Sequence, residues 1–340
     1  MTMFRAAAVL STLVLGSGGA LAQAQEQFYR GKTMEMIIGY PPGGSNDIYA
    51  RLVARHIGKY IPGNPTVVIR NLPGAGSIVA GNYLYNIAAK DGTVLGLVSP
   101  TMPLDEKLGA QGVKFESAKF NWIGRVAPST NLCFYWHTSP VKATGDLFDK
   151  PSTSGATGAG STVAVYPNVM NNVLGTKIKL VMGYAGSPEA MLAMERGEVE
   201  GHSTSFDALR TAHPDWIAEG KVRILVQYAL TRHPQLPDVP TIVELAKTDE
   251  QRQILRAVMN ATEIGKMILS PPGQPPERVA ILRHAFDMTM QDAEFMAEVE
   301  TSRVERIPLG GEALQKLVEE VGNMSPEIAA KVKAIYGQGG

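Results

Sequence analysis

Met36-Ile-Ile-Gly-Tyr-Pro-Pro-Gly-Gly-Ser-Asn-Asp-Ile48 is the stretch on which the fold turns. An apolar run over residues 34–39 reads as a strand, and Pro41 to Gly44 breaks it with a turn. Over residues 47–61, Ile48, Leu52, Val53, Ile57 and Tyr60 recur mostly at spacings of three and four, which predicts an amphipathic helix. Glycines let the backbone come close to a bound group, and Ser45 or Asn46 can cap the helix. The N–H groups at a helix start lack intrahelical partners and favour an anion. Strand, glycine turn and helix in this order form half of a βαβ unit.

The same alternation continues. A strand over 66–70 leads into Asn71-Leu-Pro-Gly-Ala-Gly-Ser77, a helix over 78–88, the turn Asp91-Gly92 and a strand over 93–99. This β-α-β-α-β order predicts a parallel sheet with helical crossovers. A second unit opens near Pro128. It holds a strand over 132–136, a Ser/Thr/Gly-rich turn over 152–162, a helix over 163–174 and a strand over 178–182. The turn Gly183-Tyr-Ala-Gly-Ser187 starts a helix ending at Gly197, with Pro188 at its first position and Glu189 in its first turn. Short strands over 199–203 and 222–228 follow. Beyond Pro240 the pattern is mostly helical, with a strand over 267–269. No internal repeat is strong enough to propose duplication.

Residues 1–24 read as an export signal: Arg5, then an apolar run over 6–15, then small residues. Cleavage after Ala22 or after Ala24 fits the small-x-small rule. The apolar run falls short of the roughly 20 residues a membrane span needs, so no stable membrane insertion is expected. About 315 residues remain, enough for two domains of ordinary size. Loss of Arg5 moves the formal charge from 0 to about −1, which implies no nucleic-acid partner. Cys133 is alone, so no internal disulfide forms.

Ligands of open α/β sheets bind at the carboxyl ends of the strands. The turns there, residues 40–47, 71–77, 154–162 and 183–187, are rich in Gly, Ser and Thr and poor in Lys and Arg. Such a site binds an anion through backbone N–H and hydroxyl groups rather than a counter-ion. Each hydrogen bond to a charged group contributes roughly 1.5–3 kcal/mol. Micromolar affinity needs about 8 kcal/mol, so four or five bonds suffice. For Asp47 three roles stay open: a favourable charge in the first helical turn, a contact to a ligand amine, or an acceptor that holds the loop.

Enzyme motifs fail one by one. Glu26 stands where a Walker loop needs glycine, and Val79 where the dinucleotide fingerprint needs one. No Gly-x-Ser-x-Gly elbow is present, and the six histidines have no zinc spacing. His202 beside Ser203 and Ser205 keeps an exported serine hydrolase as the alternative. Cys133 lies in an apolar run and reads as a buried thiol.

Several further segments carry a family resemblance. They are Tyr40-Pro-Pro-Gly-Gly-Ser-Asn-Asp-Ile48 with Ala50-Arg51, Asn71-Leu-Pro-Gly-Ala-Gly76, Asp91-Gly92, Gly186-Ser-Pro-Glu-Ala190, Gly197-Glu-Val199, Leu236-Pro-Asp-Val-Pro-Thr241 and Pro271-Pro-Gly-Gln-Pro275. With the export signal, in this order, they resemble the Bug family, the extracytoplasmic solute-binding proteins of tripartite tricarboxylate transporters.

The resemblance implies a bilobed α/β periplasmic binding protein, type II-like, with a ligand cleft between two α/β domains. The lobes would be residues 25–127 plus 258–340 and residues 128–257, with hinges near 126–130 and 260–265. It implies a periplasmic, monomeric protein that binds a small organic carboxylate without a cofactor or metal and serves membrane transporter subunits; a sensor subunit presenting the same ligand is the other possibility. Mapped onto this chain, the first-lobe contacts are Tyr40, Pro42, Gly43, Gly44, Ser45, Asn46 and Asp47, with Ser77, Ser99 and Thr101 from neighbouring strand ends. The second-lobe contacts are Gly160, Ser161, Thr162, Ala185, Gly186, Ser187, Ser203, Ser205 and Asp207. Three departures from the family pattern stand out: Leu72 where a basic residue is common, no histidine over 164–168, and a helical insert over 248–262.

Overall fold

Eleven strands fall into two sheets in the computed structural model, which describes residue 23, residues 25–158 and residues 161–337. The export-signal segment up to Ala22, and Ala24, lie outside the described residues, as does Gly160. The strands are β1 Thr33–Ile38, β2 Thr66–Asn71, β3 Val94–Leu97, β4 Asn121–Arg125, β5 Asn131–Trp136, β6 Ser152–Gly155, β7 Ile178–Val181, β8 Gly201–Ser205, β9 Val222–Tyr228, β10 Met267–Ser270 and β11 Leu309–Gly310.

The first sheet runs β11-β4-β10-β3-β1-β2. Strands β1, β2 and β3 are parallel, and β10 is antiparallel to both β3 and β4. The second sheet runs β7-β6-β8-β5-β9, with β6 parallel to β7 and β8, and β5 antiparallel to β8 and β9. One pattern thus occurs twice: three parallel strands, then an antiparallel strand. Each antiparallel strand, β5 or β10, follows a segment that has just crossed from the other sheet. The topology is a repeat that residue identities do not reveal.

Helices cover both faces of each sheet. Met36, Ile38, Leu95 and Leu97 of the first sheet pack on Leu52, Val53 and Ile57 of the helix Ser45–Ile57 and on Leu282, Phe286 and Phe295. The other face packs Ile37, Val94 and Trp122 against Leu84, Leu314 and Val318. In the second sheet, Cys133, Tyr135, Val226 and Tyr228 face Val169, Met170, Leu255 and Met259, while Leu132, Phe134 and Val222 face Met194, Leu209 and Trp216. Alternate residues of one strand therefore feed opposite cores, as period-two geometry requires.

Two segments join the halves and run against each other. Val126 N–H donates to the Lys266 carbonyl at 2.9 Å, Lys266 N–H to the Ala127 carbonyl at 2.8 Å, and Ser129 N–H to the Thr262 carbonyl at 2.7 Å. Buried Arg125 braces this crossing with bonds to the Glu263 carbonyl at 2.7 Å and to Glu263 Oε2 at 3.1 Å. The chain's last helix, Pro326–Gly337, sends Val332 into the core beside Met259 and Leu255.

Several elements differ from expectation, β4 and β11 among them, which the sequence did not announce. The first helix begins at Ser45 rather than Asp47; Gly44 is its N-cap, no side chain caps it, and after Ile57 it tightens into a 3₁₀ turn over Gly58–Tyr60. Ser152–Gly155, expected as turn, is a strand inside the second sheet. Its polar side chains are accommodated because the Ser152 hydroxyl meets the Tyr135 hydroxyl at 2.8 Å. Similarly, Gly186 rather than Ser187 is the N-cap of the helix Ser187–Glu195.

Candidate functional site

Asp47 organises the first turn from within. It is 2 % exposed. Its Oδ2 accepts the Gly43 N–H at 2.9 Å and Arg51 Nε at 2.8 Å, and its Oδ1 accepts Asn71 Nδ2 at 2.8 Å. Asn71 Nδ2 also donates to the Tyr40 carbonyl at 2.9 Å, and Arg51 donates to Asn71 Oδ1 at 3.1 Å. Burial pushes the Asp47 carboxyl up, but the bonds from Arg51, Asn71 and the Gly43 N–H outweigh it and hold the pKa at about 2. Asp47 therefore supports the loop from below, and the end of β2 is tied to the end of β1 through it.

That support leaves the helix start unpaired. The first intrahelical bond runs from Ile48 N–H to the Gly44 carbonyl at 3.0 Å. Among the described residues, the N–H groups of Ser45, Asn46 and Asp47 have no partner. Pro42, Gly43, Gly44 and Ser45 are exposed, and Tyr40 is half-buried. Burial raises the Tyr40 phenol pKa; the hydroxyls of Ser99 and Ser77 lie beside it.

The second turn is strained and anchored. Ala75, Gly76 and Ser77 take φ values of 45°, 61° and 74°, a left-handed run that includes two non-glycine residues. Ser77 is buried, and its hydroxyl donates to the Gly39 carbonyl at 2.9 Å. Ser99 and Thr101 follow β3; their hydroxyls meet at 2.8 Å, and Thr101 donates onward to Asp105 at 2.7 Å.

In the second half, Ser161 is the N-cap of the helix Thr162–Val169, and its hydroxyl donates to the Gly158 carbonyl at 2.7 Å. Ala185 is exposed, Gly186 starts the helix Ser187–Glu195, and the Ser187 hydroxyl lies 3.3 Å from that of Thr204. Ser205 Oγ accepts the Ala208 N–H at 3.2 Å, capping the helix Phe206–Ala212. Ser203 is 2 % exposed, paired across from Cys133 and beside Tyr228.

The hydrolase arrangement does not assemble. His202 and Ser203 are neighbours on β8, so their side chains leave opposite faces of the sheet. His202 is fully buried, its Nδ1 engages the Gly155 carbonyl at 2.8 Å, and burial drives its pKa down to about 4. Ser205 is engaged as a cap. No hydrogen bond among the described residues joins His202 to either serine.

Charged groups invisible to motif reading meet between the halves. The Tyr49 hydroxyl donates to Asp207 Oδ2 at 3.2 Å and accepts the Glu305 N–H at 2.8 Å. Arg210 lies 3.2 Å from Asp207 and 3.3 Å from Glu305, and His233 Nε2 lies 3.0 Å from Glu305. Lys266 Nζ donates to Asn46 Oδ1 at 3.1 Å. The sequence separation of 220 positions hides that last contact from any local pattern. Elsewhere His56, Asp292 and Glu294 come close enough to share a metal ion. The Lys59 ammonium lies among them, 3.2 Å from His56 Nδ1 and 3.4 Å from Asp292, so the acids there already have a cation.

Comparison with known proteins agrees with this architecture. Residues 49–333 match the model of the tripartite tricarboxylate transporter family receptor. A UPF0065 protein of Cupriavidus necator is 26 % identical over 294 residues, covering 84 % of this chain and 83 % of that protein. BugT of Bordetella pertussis is 25 % identical over 304 residues, covering 86 % of each. A TctC solute-binding protein from Polaromonas superposes with a TM-score of 0.69 at 19 % identity, covering 91 % of this chain and 99 % of that one. A Rhodopseudomonas palustris protein, MatC, solved with bound malate, gives 0.59 at 20 % identity over 90 % and 99 % of the two chains. Another from R. palustris, solved with adipate, gives 0.62 at 20 % identity over 89 % and 98 %. No described helix is long and apolar enough to cross a membrane. The chain belongs to the tripartite tricarboxylate transporter receptor family, the solute-binding proteins that include the Bug proteins.

Proposed function

We propose that this protein captures a small organic carboxylate in the periplasm, between its two α/β halves, and delivers it to a tripartite tricarboxylate-type membrane transporter. The observation that carries the reading is the free helix start: three unpaired N–H groups at Ser45, Asn46 and Asp47, on a turn held open by the Asp47 carboxylate. Fixed amide dipoles suit an anion and need no reorganisation on binding. Tyr40, Pro42, Gly43, Gly44, Ser99 and Thr101 complete the first-lobe side, with Ser77 behind it. Ser161, Thr162, Ala185, Gly186, Ser187, Ser205 and Asp207 face them from the second lobe, with Ser203 behind. The relatives solved with malate and adipate support a carboxylate as the ligand class. The chain crosses between the lobes near residues 126–130 and 260–265, and these paired crossing segments act as the hinge.

Thermal melting with mono-, di- and tricarboxylates, aromatic acids and amino acids tests the reading. A ligand at 100 times its dissociation constant stabilises by about 2.7 kcal/mol, a rise of several degrees. A panel without any shift contradicts carboxylate capture. Copurification with a large and a small membrane subunit distinguishes transport from sensing.

A further inference from the structure

Lys266 stands at the head of β10, where the second crossing segment enters the first sheet. Its side chain reaches the first turn and donates to Asn46 Oδ1, passing 5.8 Å from the centre of the Tyr49 ring. Both partners are neutral. Among the described residues, no carboxylate pairs with this ammonium within 4.0 Å. The two acids whose fields reach it have other neighbours: Asp207 lies beside Tyr49 and Arg210, and Glu305 lies 3.3 Å from Arg210 and 3.0 Å from His233. Burial lowers the Lys266 pKa, and the fields of Asp207 and Glu305 oppose that effect.

An ammonium has three donors, and Asn46 takes one. A partly desolvated cation without a counter-ion is unfavourable, and an arriving anion relieves it. We propose that Lys266 is the counter-ion of the bound ligand, pairing beside Asn46 with a free carboxylate and giving the site its preference for acids over the corresponding amides. The inference rests on the carboxylate reading above and deepens it: backbone N–H groups alone donate to an acid or an amide oxygen alike, whereas a charge-assisted bond is roughly twice as strong as a neutral one. The ligand class is then an acid whose carboxylate reaches the Lys266 ammonium beside Asn46.

The test is isothermal titration of malate, succinate, adipate and benzoate, each beside its amide, into the wild-type protein, Lys266→Met and Lys266→Arg. Circular dichroism reports the fold, and Lys266→Gln replaces the Met variant should that one fail to fold. The wild type is expected to bind an acid and to favour it over the amide by on the order of tenfold or more. Lys266→Met loses that preference, and Lys266→Arg keeps part of it. A preference unchanged in Lys266→Met overturns the inference and leaves carboxylate capture standing. Equal weakening of acid and amide, the mark of a purely structural lysine, also overturns it. If the wild type binds neither these acids nor any other acid of the melting panel, both readings fall.

Discussion

Tyr49 and Asp207, 158 positions apart, meet at 3.2 Å and join the helix after the first turn to the helix after β8. The same hydroxyl accepts the buried Glu305 N–H. One phenol thus links the first helix, the second half and the segment leading to β11.

Tyr49→Phe removes both bonds while keeping the ring. It leaves the Glu305 N–H buried without a partner, so a destabilisation of about 1–3 kcal/mol is expected. Urea denaturation of the two proteins measures it. A change within about 0.3 kcal/mol would show that the link carries no stability.

Asp47→Asn tests the loop-holding role. The variant keeps the shape but loses the charge that Arg51 and the Gly43 N–H bind. A loss of about 1–3 kcal/mol in stability is expected, together with weaker binding of every acid in the panel. If instead only amine-bearing ligands weaken, Asp47 contacts the ligand directly. Its folded pKa of about 2 lies below the ordinary 3.8, so its contribution is complete above pH 4 and is lost as pH falls toward 2.

His202 sets an earlier acid window. Its folded pKa of about 4 lies below the ordinary 6.5, so the unfolded chain takes up the proton first. The stability it protects is complete above pH 6.5 and falls as pH drops toward 4, by roughly 3 kcal/mol at most. Denaturation at pH 7, 5.5 and 4.5 should show this slope, and His202→Gln should flatten it.

Two glycines separate fold from binding. At Gly265, φ is +56° and a Cβ would sit 2.3 Å from the Ala127 carbonyl oxygen, so Gly265→Ala forces the crossing segments apart and should destabilise by about 1–3 kcal/mol. At Gly44, φ is −80° and a Cβ meets nothing within 4 Å. Gly44→Phe should therefore melt like the wild type while losing acid binding. Unchanged binding in that variant would remove the first turn from the site.

The parallel strands β1, β2 and β3 of the first sheet were legible because their signals are local, whereas β4 and β11 were not read as strands. The apolar run of β1, the glycines after it and the helical spacing behind them lie within one short stretch. Strand β6 was not, because Ser152, Thr153 and Ser154 look like a turn; pairing with β7 and β8 makes them strand. The His202–Ser203 adjacency suggested a dyad that strand alternation separates. Reading the turns as free of counter-ions missed Lys266, which reaches Asn46 only after the chain has crossed twice between the halves. Asp47 was readable as an acid near a helix start, but its partner Asn71 belongs to the next strand.

A crystal structure of the protein with its tightest-binding acid shows directly whether the first turn holds the ligand. The expected result is a carboxylate between the halves, with an oxygen within about 3.2 Å of an N–H group of Ser45, Asn46 or Asp47. An acid bound with no contact to residues 42–47 would contradict it.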